Sequence, residues 1–326
     1  MRCLHLFDGR RRDTRRLQAE FMLRLKEHCD FFIYGKDEQE LNGEEISPIE
    51  FNHKLSLKDV ANIIKPDIIV MPEYIISKIM LSRVAGFEQI KNIPKVSLEI
   101  DYYTYLNDNN ENWYKEKGID LIICRGPYAA NLFPIRNVYL PWSAHEDFLT
   151  DPTTDYLSSK YNKILYVGGG RYSTNVLYRT RQLAIRMLEL DGSLDYYGNV
   201  GYEAYPKLIK QYRCGLSCSL YYLNMAPAKA FEIMATGATL LSNDFICSDS
   251  LFPGKQCYFK YEQDCSDILK VSRIIQNDAD LVKEVTFNAI NMINNYHTDS
   301  IRAKELYQIL ESFVYGKPIE DKWDRK

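Results

Sequence analysis

The sequence lacks the signatures of several common protein classes. No apolar run approaches the roughly 18 residues that a membrane-spanning helix needs. The N-terminal stretch MRCLHLFDGRRR has neither the long apolar core nor the small-residue cleavage site of a signal peptide. The formal net charge of -3 gives no general attraction to nucleic acid or to an anionic membrane. We therefore expect a cytoplasmic protein with no membrane span, in which any basic site is local.

Zinc-site patterns and internal repeats are missing as well. The eight cysteines are scattered through apolar segments, and Cys214 and Cys218 have no second Cys or His pair at zinc-site spacing. The cysteines are therefore expected to be buried, reduced thiols, and no metal is expected. The chain also contains no repeat of solenoid period and no low-complexity tract.

The features that are present indicate two α/β domains. The 326 residues, 46% of them hydrophobic and 26% charged, suit two domains with separate cores. Short apolar strands alternate with helical patterns, which predicts doubly wound parallel sheets. The composition shifts to Asp, Thr, Ser and Pro in DFLTDPTTDYLSSKY. We predict a first domain at 1–147, a linker at 148–161, a second domain at 162–298, and a terminal helix with a polar tail at 299–326.

The stretch 224–244, NMAPAKAFEIMATGATLLSND, combines structural and chemical signals. Pro227 suits a helix start, Gly237 suits a helix C-terminus, and the apolar residues between and after them predict a buried helix followed by a buried strand. Lys229 and Glu232 interrupt the helix on one face. One interpretation is that they pair with each other or that Lys229 reaches water. The other is a ligand site in which the helix N-terminus and Lys229 bind phosphate, while Glu232 accepts hydrogen bonds from sugar hydroxyls.

The segment AKAFEIMATGATLLSND resembles the nucleotide-binding segment of glycosyltransferases with the GT-B fold, in the branch related to bacterial spore-maturation glycosyltransferases. The pattern K/R-x-F-E-x-x-A-x-G-x-x-L-L-S/T-x-D is matched at Lys229, Phe231, Glu232, Ala235, Gly237, Leu240, Leu241, Ser242 and Asp244. The resemblance implies two Rossmann-like domains facing across a cleft, with a C-terminal helix packing back on the first. It also implies that Glu232 binds the ribose of a nucleotide-sugar donor. Many relatives carry a second Glu seven or eight residues later, where this chain has Thr239 and Leu240.

Further donor-binding candidates follow the strands of the second domain. Gly168, Gly169, Gly170 and Arg171 come directly after a strand, where backbone N–H groups approach a diphosphate and Arg binds it bidentately. A simple turn is the alternative. The full Rossmann spacing and the P-loop Lys are absent, so NAD and ATP are not predicted. Because open α/β sheets bind ligands beyond the strand carboxyl ends, we group the donor-binding candidates into one site: Gly169, Gly170, Arg171, Tyr197, Asn224, Lys229 and Glu232.

The first domain is expected to contact the acceptor and, in an inverting enzyme, to supply a general base. The candidates are carboxylates near strand ends: Asp8, Glu73, Glu99 and Asp101. Asp101 ranks first because an aromatic run follows it, and aromatic faces stack well on sugars. For each of these residues a structural role, such as a turn, is the alternative.

The segment PWSAHEDF resembles the interdomain segment of the same relatives. Here His145 is a further catalytic candidate, beside Asp147, and a structural histidine is the alternative. The catalytic candidates are thus Asp101, Glu73 and His145.

Five arginines follow the first strand: Arg10, Arg11, Arg12, Arg15 and Arg16. They form either a solvated helix start or a local site for a diphosphate, a charged glycan or a nucleic-acid backbone. We favour the anion site, because crowded like charges repel each other unless an anion is near.

These features predict a metal-independent GT-B glycosyltransferase with a nucleotide-diphosphate sugar, most readily UDP-linked, as co-substrate and no other cofactor. The expected acceptor is a hydroxyl of a glycan or glycoprotein. Two alternatives remain open. One is a phage or viral enzyme that glucosylates hydroxymethylated DNA bases and contacts DNA through the arginines. The other is a non-catalytic sugar-nucleotide-binding protein.

Overall fold

A computed structural model gives the structure of the chain. The residues that it describes are 1–8, 21–36, 55–72, 77–78, 81–82, 84–99, 112–127, 133, 135–152, 157–169, 178–198, 200–201, 203–219, 225–320 and 322–323. The chain forms two compact units. The first comprises Met1–Pro141 together with Arg302–Trp323, and the second is Trp142–Ile301.

The first unit is built around a six-stranded parallel sheet with the order β2-β1-β3-β4-β5-β6. Its strands are β1 (Arg2–Asp8), β2 (Asp30–Lys36), β3 (Ile68–Met71), β4 (Lys95–Glu99), β5 (Leu121–Cys124) and β6 (Asn137–Tyr139). Strands β3, β4 and β5 are buried at every position, as expected for a parallel sheet covered on both faces. The terminal residues Ala303, Leu306 and Leu310 belong to the same core.

Short helices flank this sheet. They are α1 (Leu57–Ile64), α2 (Trp113–Glu116) and two 3-10 helices, Arg24–Glu27 and Phe87–Gln89. At the start of α1, Ser56 accepts a hydrogen bond from Asp59 N at 3.2 Å and the Asp59 carboxylate accepts one from Ser56 N at 3.1 Å. This capping box fixes the start of α1.

The second unit contains a five-stranded parallel sheet with the order β11-β10-β9-β7-β8. Its strands are β7 (Tyr161–Val167), β8 (Leu194–Tyr197), β9 (Tyr212–Leu216), β10 (Thr239–Asn243) and β11 (Phe259–Tyr261). The helices are α3 (Arg179–Leu190), α4 (Ala204–Ile209), α5 (Ala228–Ala235), α6 (Ser248–Leu251), α7 (Ile268–Asn277), α8 (Ala279–Tyr296) and α9 (Asp299–Val314). Helix α9 begins in the second unit and belongs to the first from Arg302 onward. The two parallel α/β sheets confirm the fold class predicted from the sequence.

Helix α5 lies close to β9 because Gly215 has no side chain. A Cβ atom at Gly215 would lie 2.8 Å from Cγ1 of Ile233, closer than real Cβ contacts come. The helix ends as the sequence predicts, with Gly237 in the left-handed region at φ 66. Lys160 Nζ donates to the carbonyl oxygens of Thr236 and Gly237, at 3.1 and 2.7 Å. The carboxyl-terminal half of α5 is therefore fixed against β9 and β7.

One predicted boundary is wrong. The sequence pattern favours a helix over 205–212 and a strand over 215–222, whereas α4 ends at Ile209 and β9 already begins at Tyr212. The Tyr212 ring packs against Tyr161 at 5.3 Å, and its hydroxyl donates to Asp195 at 2.9 Å. These long-range contacts hold Tyr212 in the sheet.

The segment predicted as a linker contributes residues to the second unit. Phe148, at its start, is fully buried in the 3-10 helix Glu146–Phe148, and Tyr161, at its end, begins β7. All eight cysteines are free, and seven of them are buried, with Cys29 half-buried. No helix in the described ranges has the length and apolar character needed to cross a membrane.

Candidate functional site

The described part of the glycine loop lies at the carboxyl end of β7. Gly168 adopts φ 132, and its N–H lies 3.0 Å from the carbonyl oxygen of Tyr197 and 3.1 Å from that of Gly198. The Tyr166 hydroxyl donates to the Gly169 carbonyl at 2.8 Å, while a Cβ atom at Gly169 would meet nothing within 4 Å. The loop is thus held by its neighbours on one side and is open beside Gly169.

Lys229 joins the start of α5 to this loop. Its ammonium donates to the carbonyl of Val167, the last residue of β7. Nζ lies 5.0 Å from the ring centroid of Tyr166 and 5.9 Å from that of Tyr205. A Cβ atom at Gly168 would lie only 2.8 Å from Nζ. The absence of a side chain at Gly168 therefore makes room for the ammonium group.

Glu232 lies one turn further along α5 and is 5% exposed. Burial, the largest effect, and Asp299 raise the pKa of its carboxyl, while Lys229 and the Tyr205 hydroxyl partly oppose the rise. Burial likewise lowers the pKa of Lys229, to about 8, with Glu232 opposing this shift and Arg181 adding to it. The ammonium bonds to a backbone carbonyl and not to the Glu232 carboxylate. Lys229 and Glu232 therefore do not form the direct ion pair that one interpretation of the sequence predicts.

Two neighbours of Lys229 were not among the residues selected from the sequence. Arg181, in the first turn of α3, stacks over the Tyr178 ring at 4.6 Å and lowers the pKa of Lys229 through its charge. A positive charge is unfavourable at a helix N-terminus. This position of Arg181 is the sequence feature that could have identified it as a candidate. The buried Tyr205 hydroxyl lies beside the Glu232 carboxyl, and this contact raises the pKa of Tyr205 after burial, which is the largest effect. Nothing in the sequence distinguishes Tyr205 from the other 24 of 25 tyrosines.

No protein-family model matches the chain, and no curated protein matches its sequence. Solved structures match over nearly the full length. Anabaena HepE in complex with UDP-glucose aligns with a TM-score of 0.63 at 10% identity, over 96% of this chain and 100% of HepE. T4 phage BGT in complex with its UDP-glucose substrate aligns with a TM-score of 0.61 at 12% identity, over 96% and 99%.

A third match is an α-glucosyltransferase in complex with UDP and a 13-mer DNA containing an HMU base. It aligns with a TM-score of 0.58 at 11% identity, over 95% of this chain and 99% of that chain. The chain has the GT-B fold. At these identities the likeness establishes the fold of glycosyltransferases and not the spore-maturation branch within it. In this GT-B chain the glycine loop and α5 both belong to the C-terminal unit.

His145 lies in the same unit and is 6% exposed. Its Nδ1 accepts a hydrogen bond from Asp147 N at 3.2 Å and so caps the 3-10 helix Glu146–Phe148. This geometry favours the structural alternative for His145.

His145, Glu146 and Asp299 place potential metal-ligand atoms within 4.8 Å of one another. Both carboxylates already accept hydrogen bonds, Glu146 from Ser300 Oγ at 2.7 Å and Asp299 from Ser143 Oγ at 2.6 Å. These contacts join the start of α9 to the segment before β7, and we assign no metal to them.

The remaining candidates differ in their surroundings. Tyr197 is 41% exposed at the end of β8, and its side chain interacts with Tyr212. Asp244, the last residue of the motif, has a structural role, since it accepts hydrogen bonds from Tyr258 Oη and Lys260 Nζ, each at 2.9 Å. Of the predicted donor-site residues that the structure describes, Gly169 and Lys229 lie at the carboxyl end of β7, and Glu232 lies one turn further along α5.

Several predicted residues lie outside the described ranges and stay predictions. They are Gly170, Arg171 and Asn224 of the donor site, Glu73 and Asp101 of the catalytic set, and the cluster Arg10, Arg11, Arg12, Arg15 and Arg16.

Proposed function

We propose that the chain is a glycosyltransferase that moves a sugar from a nucleotide-diphosphate sugar, with UDP as the nucleotide, to a hydroxyl of a glycan or glycoprotein. One observation supports this most strongly. The Lys229 ammonium lies at the end of β7 beside the open glycine loop, and the nearby positive charge of Arg181 lowers its pKa further after burial, the largest effect. The nearby acid, Glu232, takes no direct hydrogen bond from the Lys229 ammonium. Such a site is completed by an anion, and a diphosphate fits it.

In the proposed reaction the acceptor oxygen attacks the anomeric carbon of the donor sugar. The bond from that carbon to the diphosphate oxygen breaks, and its electron pair stays on the leaving UDP. Lys229, Arg181 and the positive end of the α5 dipole stabilise the negative charge that develops there. The acceptor proton passes to a general base, for which Asp101 and Glu73 are our candidates.

Glu232 would hold the donor by accepting hydrogen bonds from the ribose hydroxyls. At 5% exposure its carboxylate is almost enclosed, so a ribose reaches it only if neighbouring side chains move. Small rearrangements of this kind are common at binding sites. The UDP-glucose found with HepE and with T4 phage BGT supports the choice of UDP.

The proposal is tested by UDP titration in a calorimeter and by UDP release from a panel of UDP-sugars. Lys229→Met and Arg181→Ala should each weaken UDP binding by about tenfold or more, because each removes a charge that contacts the diphosphate. Arg186→Ala is the matched control, since Arg186 lies on the exposed side of the same helix, α3. A wild-type protein that binds no UDP would contradict the proposal. Binding without release from any donor would favour the non-catalytic alternative.

A second candidate function is glucosylation of hydroxymethylated DNA bases. Two observations favour it: the similar α-glucosyltransferase was solved with UDP and DNA, and five arginines crowd together after the first strand. In the same assay series, duplex DNA binding should then weaken steeply with salt and be lost in Arg11→Ala/Arg12→Ala. Salt-independent or absent binding would remove this candidate and leave the glycan acceptor.

A further inference from the structure

Two of the eight cysteines, Cys3 and Cys29, lie next to each other in the first unit. In the parallel register of β1 and β2, Arg2 pairs with Asp30, and Asp30 N donates to the carbonyl of Met1 at 3.1 Å. Cys29 therefore lies beside Met1, two residues from Cys3 along β1. Residues two apart in a strand share one face of a sheet, and a side-chain hydrogen bond joins the two thiols.

The two thiols differ in exposure and in acidity. Cys3 is fully buried in the core of the first unit, whereas Cys29 is half-buried. The hydrogen bond from the Cys3 thiol is the largest effect on Cys29, and it lowers the pKa of Cys29 although burial opposes the shift. The same contact, with burial adding to it, raises the pKa of Cys3. Because the thiolate is the reactive form of cysteine, Cys29 is the nucleophile of the pair and Cys3 is its neutral neighbour.

The position of Cys29 in the chain leaves room for a covalent bond between the thiols. Cys29 lies in the two-residue connection between the 3-10 helix Arg24–Glu27 and β2 (Asp30–Lys36), and its neutral thiol donates to the carbonyl of Leu25 at 3.4 Å. A disulfide draws two sulfur atoms to about 2 Å, closer than a hydrogen bond, so one residue must shift. Cys29 is the residue that shifts, because it belongs to neither element, while Cys3 is held in β1 between β2 and β3.

Other cysteines have surroundings that make them unreactive. Burial raises the pKa of Cys257 to about 11 and, as the largest effect, that of Cys265 to about 12. The Cys124 thiol is fully buried and donates to the carbonyl of Val138 at 3.2 Å. A thiol that stays protonated and enclosed reacts slowly with oxidants. We therefore expect oxidation to begin at Cys29.

We propose that Cys3 and Cys29 are a redox-active pair that forms a reversible disulfide on exposure to a peroxide. The Cys29 thiolate attacks one oxygen of hydrogen peroxide: an S–O bond forms, the O–O bond breaks, and the leaving hydroxide takes up the proton that the thiol released. The Cys3 sulfur then attacks the Cys29 sulfur: the S–S bond forms, the S–O bond breaks, and the departing hydroxide takes the Cys3 proton. Two thiols lose two electrons, and the peroxide becomes two water molecules. A dithiol reductant reverses the bond, and the pair does not depend on the proposed function.

The test treats the folded chain with hydrogen peroxide, blocks the remaining thiols with N-ethylmaleimide in denaturant, and identifies the tryptic peptides by mass spectrometry without reduction. Wild type should lose two of its eight thiols, and the peptides that contain Cys3 and Cys29 should be found joined. Dithiothreitol should restore all eight thiols. Cys29→Ser should form no disulfide at the same peroxide dose. In Cys3→Ala, Cys29 should stop at the sulfenic acid, which dimedone traps.

Cys124→Ser is the matched control, because Cys124 is also fully buried in a strand of the same sheet. This variant should still join Cys3 to Cys29. The peptide map of wild type decides the question even where a variant folds poorly. A disulfide between other cysteines, oxidation of Cys29 to sulfinic acid without the cross-link, or no loss of thiols in wild type would overturn the proposal and leave the proposed function untouched.

Discussion

The two units bury charged side chains in different ways. In the first unit, Glu99 is fully buried and accepts a hydrogen bond from Ser97 Oγ at 2.6 Å. Arg302 is also fully buried, and it pairs with Glu305, which pairs in turn with Lys322. Glu99 has a hydroxyl donor as its partner, and the Arg302 guanidinium has a carboxylate. This is the arrangement that a purely structural buried charge requires.

In the second unit the buried charges beside the glycine loop are only partly matched. Lys229 bonds to a backbone carbonyl and has Arg181 as a nearby like charge, while the side chain beside Glu232 is the neutral phenol of Tyr205. Burial shifts the pKa of Lys229 and that of Glu232 toward their neutral forms. Comparing the units shows that partner quality, more than burial itself, separates a structural charge from a candidate ligand-binding charge.

The largest effect is expected from breaking the buried ion pair between Arg302 and Glu305. Glu305→Ala leaves the buried guanidinium of Arg302 without its carboxylate, and removing one partner of a buried pair costs about 3–5 kcal/mol. Chemical denaturation should show this loss in the free energy of unfolding. Glu305→Gln, which keeps the shape and some hydrogen bonding, should lose less.

The same measurement on Glu232→Gln should give the opposite result, because this substitution is expected not to lower the free energy of unfolding. A carboxyl whose pKa is raised on folding destabilises the native state at neutral pH, and this penalty disappears as the pH falls below the pKa of the unfolded chain. The Gln variant should therefore be at least as stable as wild type at pH 7.5 and should lose that advantage toward pH 4. A large loss of stability at pH 7.5 would show that Glu232 is a matched structural charge after all.

The next effect concerns the space that Gly168 leaves for Lys229. In Gly168→Ala the new Cβ atom would fall 2.8 Å from Lys229 Nζ, at a φ of 132 that side chains rarely adopt. The ammonium must move, so UDP affinity should fall by about tenfold, the typical size of one lost charge-assisted bond. Gly201→Ala is the control, because a Cβ atom there meets nothing within 4 Å. Equal affinities in the two variants would contradict the role given to this contact.

The fold and two residues of the candidate site, Lys229 and Glu232, are recognisable in the sequence for identifiable physical reasons. Alternating apolar strands and helical spacing predict both sheets, and a Lys and a Glu inside an apolar helix stand out locally. Arg181 and Tyr205 lie in other elements, α3 and α4, and reach Lys229 only through tertiary packing. The predicted start of β9 was wrong for the same reason, since Tyr212 is held in the sheet by Tyr161 and Asp195.

The smallest effect is a pH dependence that separates Lys229 from the matched charges. Its pKa is lowered to about 8, mainly by burial, so the ammonium deprotonates between pH 7 and 9. UDP affinity should fall several-fold over this range, because the diphosphate loses one positive contact. Since the folded pKa lies below the ordinary value, the folded state disfavours the charged form, and the stability of the unliganded protein should rise as the pH increases through about 8.

Lys229→Arg keeps its charge throughout and should bind UDP with an affinity that stays flat from pH 7 to 9. An equally steep decline in that variant would assign the titration to another group and remove Lys229 from the proposed diphosphate site.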